Sequence, residues 1–150
     1  MKQVNMYLLT SQSGPGKKDG SWGFIVETMV RANGEDKPLT LTWFKQAPGM
    51  SANESELTAA VMAFRRIHKE CEIVIFTQSR WFFRALSEWL PEWEKHDWKT
   101  AKNNPMKHVE KWQELNELMK YHNVRAVYGQ KHEYLDYMTR ELNRASHKYE

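Results

Sequence analysis

The sequence is poor in the residues that staple or interrupt small folds. A single cysteine, Cys71, stands among 150 residues. It permits no internal disulfide and excludes zinc sites built on several thiolates. Seven glycines and five prolines are too few for a collagenous or low-complexity chain. No run of about eighteen apolar residues occurs, so no segment reads as a membrane-spanning helix and no membrane partner is expected. Met1-Lys2-Gln3-Val4-Asn5 lacks the apolar stretch of a secretion signal. These absences lead to the expectation of a reducing, cytoplasmic setting. Blocks of like charge are missing too: 22 basic residues against 19 acidic ones give a net charge of +3. A polyanion would have to be met by a folded surface that sorts its charges in space, not by a basic arm.

What is present suits one domain spanning residues 1–150, since 41% hydrophobic residues can fill a single core. Tryptophan is the unusual component, with seven copies. Trp81, Trp89, Trp93, Trp98 and Trp112 crowd into one stretch and read first as packing residues, second as base-stacking platforms.

Val4 to Thr10, Trp22 to Val30 and Leu39 to Phe44 are rich in β-branched and aromatic residues. They are separated by Ser11-Gln12-Ser13-Gly14-Pro15-Gly16 and by Asn33-Gly34, so they read as an antiparallel meander that ends at Pro48-Gly49. The period then changes. Leu57, Ala60, Val61, Phe64 and Ile67 form one helical face, with Asn53 and Glu56 spaced as a capping box. Glu72 to Thr77 reads as a buried strand and Ser79 to Leu90 as a helix stopped by Pro91. A polar segment, Glu92 to Asn104, follows. Pro105 suits the start of a helix carrying Val109, Trp112, Leu115 and Met119. Val124 to Tyr128 is a fifth strand; Leu135, Met138, Leu142 and Ala145 mark a last helix. The order β-β-β-α-β-α-α-β-α predicts an α/β (α+β mixed) fold: a five-stranded mixed sheet with helices on both faces.

Local motifs carry a more specific resemblance. Glu56-Leu57-Thr58-Ala59-Ala60, Thr77-Gln78-Ser79, Trp98-Lys99-Thr100-Ala101, Trp112-Gln113-Glu114-Leu115 and Arg140-Glu141-Leu142 resemble segments of the bacterial type 1 ribonuclease H family. The resemblance implies a ribonuclease H-like fold. It also implies a metal-dependent endonuclease ancestry, in which carboxylates hold two Mg²⁺ ions that cut the RNA strand of RNA–DNA hybrids.

Carried over position by position, the family's first-strand Asp is matched by Ser11, its helix Glu by Glu56, its fourth-strand Asp by Gln78 and its last-helix Asp by Arg140. The mobile His is matched by Gln130. One carboxylate of four remains. A divalent ion about 5 Å from the Arg140 guanidinium would meet a repulsion of about 6 kcal/mol at an effective dielectric near 20. The expectation is therefore an inactive pseudoenzyme with no metal and no cofactor. Arg140 would pair with Glu56 while Gln78 and Ser11 complete a neutral cluster. Two alternatives stand beside this: Arg140 as a solvated helix residue, and Asp136 or Asp19 rebuilding a metal site. The histidines and Cys71 show no ligand spacing, and Gly14-Pro15-Gly16-Lys17-Lys18 lacks the phosphate-loop pattern.

Binding can outlast catalysis. By the same resemblance, Asn53, Arg80, Trp89, Trp93, Lys95, Lys99, Lys102, Lys107 and His108 are the candidate nucleic-acid contacts. The family's basic protrusion is diluted here to Glu94-Lys95-His96-Asp97, so weak, salt-sensitive binding of RNA–DNA hybrid or double-stranded RNA is expected. A protein-interaction module on the same fold and a residual metal-dependent nuclease are the other readings.

Overall fold

The first third of the chain folds into a meander of three long strands. β1 (Lys2–Thr10), β2 (Lys17–Ala32) and β3 (Glu35–Ser51) pair antiparallel. Asn33 and Gly34 both take positive φ, as the two-residue hairpin turn between β2 and β3 requires. β4 (Cys71–Thr77) and β5 (Asn123–Tyr128) then add in parallel on the far side of β1, giving the order β3-β2-β1-β4-β5. The structure, a computed structural model, describes residues 1–147.

Helices cover both faces, and the alternation along β1 shows which residues serve each. Val4, Met6 and Leu8 enter the main core with Phe24, Leu57, Phe64, Ile75, Trp112 and Leu115, beneath α1 (Ala52–Phe64) and α4 (Val109–Lys120). Tyr7 points the other way, joining Ile25 and Met138 beneath α5 (Leu135–Ser146). At Gly23 a Cβ would lie 2.2 Å from Phe44, so glycine is what lets that ring pass across β2. No helix among the described residues is long and apolar enough to cross a membrane.

The mixed sheet of five strands matches the expected architecture, with four local corrections. Pro48-Gly49 does not end β3; a bulge opposite Asp19 absorbs the pair, and the Gly49 N–H donates to Asp19 Oδ1 at 2.8 Å. Pro91 does not stop the helix after β4. That helix runs as α2 (Arg80–Arg84), a π-helical turn (Ala85–Trp89) and α3 (Leu90–Lys95), with Pro91 in the first turn of α3. The preceding π-helical turn, in which Leu90 N–H donates to the Ala85 carbonyl, carries the chain past the proline. Pro105 precedes α4 instead of opening it. Ser51, not Asn53, caps α1 by accepting from Glu54 N at 3.0 Å, so Glu56 is not part of a capping box.

Candidate functional site

Glu56 lies on the second turn of α1 with 2% of its surface exposed. Its Oε1 accepts from Thr77 Oγ1 at 2.6 Å, and Thr77 Oγ1 in turn accepts from Ser79 N at 3.1 Å. Burial pushes the carboxyl up to about 7; the Thr77 bond pulls the other way and is outweighed. No basic side chain pairs with it among the described residues.

The strand register decides what stands near Gln78. β1 and β4 pair as far as Tyr7 with Phe76, so two residues further Leu9 comes level with Gln78. Leu9 packs against the Tyr7, Ile25 and Met138 cluster. The β1 residue that stands level with Gln78 is thus Leu9, not Ser11. Ser11 follows the end of β1, where its Oγ accepts from Ser21 N at 2.9 Å and lies 3.5 Å from Ser146 Oγ.

The expected neutral cluster does not form. Gln78 Nε2 donates 2.9 Å to the Gln130 carbonyl, tying the end of β4 to the loop before α5. Arg140 is exposed, in none of the ion pairs among the described residues, and does not meet Glu56. The reason is helical geometry: two residues from both Met138 and Leu142, which are buried, Arg140 projects about 200° away from each. Asp136 is exposed on the same helix, and Asp19 is occupied with Gly49. Among the described residues no three of His, Cys, Asp and Glu come together as metal ligands. A pair of hard divalent ions needs several carboxylate oxygens. One buried carboxyl held by the Thr77 hydroxyl does not fit that group.

Beside this face lies a cavity of about 520 Å³. Trp112, 1% exposed on α4, forms its base, with Trp81 at 5.5 Å and Trp93 at 5.1 Å edge-on to it. After α3 the chain folds back on itself: Trp98 N donates to Trp93 O, Met106 N to Trp98 O, and Thr100 N to Asn104 O. That turn brings Lys99 and Lys107 to the rim. Ser51 and Asn53 at the start of α1 and the Gly14-Pro15-Gly16 loop also line it. His108 completes the lining at the start of α4, in left-handed backbone with φ 58°.

The cavity therefore brings together Asn53, Trp93, Lys99, Lys107 and His108 of the expected contacts. It leaves out Arg80, Trp89, Lys95 and Lys102. Trp89 packs 6.0 Å from Trp93 beneath Arg84, and Lys95 lies 3.6 Å from Glu92. Glu92 also approaches His96, while Glu94 pairs with Lys120 at 3.0 Å. Acidic neighbours thus offset the charge of Lys95 and Lys120.

Two positioning residues escaped sequence reasoning. Gln12 Nε2 donates to the Lys18 and Met50 carbonyls at 2.6 and 2.7 Å, and its Oε1 accepts from Ser55 and Thr10, which seats the first loop on α1. Nothing in the local sequence signals it. Glu27 accepts from Asn5, Tyr7 and Tyr134, anchoring the segment before α5 to the sheet. Its signal was present: an acid in the middle of an apolar strand.

A five-stranded mixed sheet with α1 delivering a buried glutamate beside β4 is the architecture of the ribonuclease H class. The RNase H family model matches residues 1–139, and the chain belongs to the ribonuclease H family. It is 32% identical to ribonuclease H of Cupriavidus necator over 125 residues, 83% of this chain and 79% of that one. The fold superimposes with a TM-score of 0.75 on LC9-RNase H1, a type 1 RNase H with the type 2 active-site motif, at 21% identity over 95% of this chain and 69% of the other. LC11-RNase H1 in complex with RNA/DNA hybrid gives 0.60 at 13% identity, covering 97% of each chain.

Proposed function

We propose that this chain is a catalytically inactive ribonuclease H-fold protein that binds nucleic acid, either RNA–DNA hybrid or double-stranded RNA, by shape. The observation that carries the reading is the fate of the carboxylate positions. Leu9, Gln78 and Arg140 offer no anionic oxygen, and Glu56 is buried on a single hydroxyl. Two-metal hydrolysis asks for a set of oxygens that clamps attacking and leaving groups together, and one carboxyl cannot supply it.

The groove keeps the chemistry of a polyanion site. Lys99 and Lys107 stand at its rim, polar Ser51 and Asn53 line one wall and Trp93 another. LC11-RNase H1 holds RNA/DNA hybrid on the same fold, which supports a hybrid-shaped ligand here. Phosphate contacts dominate such affinity, and the acids around Lys95 and Lys120 reduce the number available. The expected behaviour is weak binding of a labelled hybrid, falling steeply between about 50 and 200 mM salt. Fluorescence anisotropy measures it. The same acidic dilution favours the second reading, a protein-interaction module; absence of hybrid binding at low salt would select that reading.

A further inference from the structure

We infer that His108 is a proton-gated phosphate contact, adding a positive charge to the groove when its ring takes up a proton. The inference rests on the nucleic-acid reading above. His108 lines the cavity between Lys107 on one side and Ser51 and Asn53 on the other. Its side chain is only 16% exposed, and left-handed backbone at the start of α4 fixes where the ring lies. A strand phosphate resting on Lys107 and the polar end of α1 lies beside this ring.

The groups facing His108 determine its charge. From α1 comes Glu54, whose Oε2 is 3.9 Å from Nδ1, too far for a hydrogen bond. Lys111 Nζ is closer to that same oxygen, at 3.6 Å, and already draws on it. Lys17 from β2, Lys107 and Lys111 all add positive potential. Burial, reinforced by these lysines and only partly opposed by Glu54, moves His108 below its ordinary range. At neutral pH the ring is therefore uncharged and offers the groove one N–H at most. Protonated, it offers two N–H donors and a charge, and a bound phosphate stabilises that form. Proton uptake and strand binding are then linked, each strengthening the other.

Counterion release gives this coupling a distinct signature. Binding of a labelled RNA–DNA hybrid is measured across about 50 to 200 mM salt at pH 5.5 and 7.5, for the native chain and for His108→Asn. Asparagine tolerates the left-handed backbone, and circular dichroism checks that the variant folds. The native chain is expected to bind about three- to tenfold tighter at pH 5.5, with a salt slope steeper by about one phosphate contact. His108→Asn loses that extra slope, whereas His96→Asn, at the exposed end of α3, retains it. If His108→Asn keeps the native difference, the gate is refuted while nucleic-acid binding stands. If no hybrid binds at either pH in 50 mM salt, both the gate and the reading beneath it fall.

Discussion

Helix α1 serves two places of opposite character. Its first residues, Ser51 to Asn53, line a groove that remains polar, aromatic and partly basic. One turn later Glu56 is buried as a core residue would be, its carboxyl held by the Thr77 hydroxyl. The difference follows from how the two functions depend on their parts. A metal centre is a cooperative assembly: carboxylates that would repel one another are held together by the ions, so losing some leaves the rest costly. Phosphate contacts along a groove add nearly independently, so a binding surface weakens gradually as charges are neutralised.

Breaking the groove at its base should have the largest effect. Trp112→Ala removes the ring on which Trp81, Trp93 and Phe82 pack, and is expected to cost about 3–5 kcal/mol in chemical denaturation. At the other site the expected effect has the opposite sign. Glu56 favours its protonated form in the folded chain, so its own contribution to stability is greatest at low pH. It falls as pH rises from 4.5, the ordinary value, through about 7, and levels off above that. Glu56→Gln keeps the acceptor for Thr77 without the charge. It should stabilise the chain by about 3 kcal/mol at pH 8 and hardly at all at pH 4, as denaturation midpoints at the two pH values will show. Lys107→Ala should leave stability within about 0.5 kcal/mol of the native chain and reduce the salt slope of hybrid binding by about one. The smallest effect is expected at Arg140. Arg140 is exposed and in no ion pair among the described residues, so Arg140→Ala should change stability by less than about 0.5 kcal/mol; a large loss would restore the buried Glu56 partnership that the helix geometry excludes.

The sheet was legible because its signals are periodic: alternating strands, an Asn-Gly turn and helical spacing on either side of β4. The errors fell where one interaction overrides a local rule. Pro48-Gly49 reads as a stop, but a bulge and the Asp19 carboxylate accommodate it within β3. Pro91 reads as a stop as well, yet a π-helical turn places it where a helix begins. At the site, Gln78 and Arg140 were readable as non-acidic, but the β1 residue that stands level with Gln78 was not. Only the β1–β4 register separates Leu9 from Ser11. The face of Arg140 was legible in principle from Met138 and Leu142; chemical complementarity to Glu56 suggested the wrong partner. Gln12 gave no warning, because its partners are backbone carbonyls from distant strands.

The most direct test incubates purified chain with labelled RNA–DNA hybrid in Mg²⁺ and in Mn²⁺, beside Glu56→Ala. Intact substrate under every condition is the predicted result. Cleavage of the RNA strand by the native chain that disappears in Glu56→Ala would contradict the account.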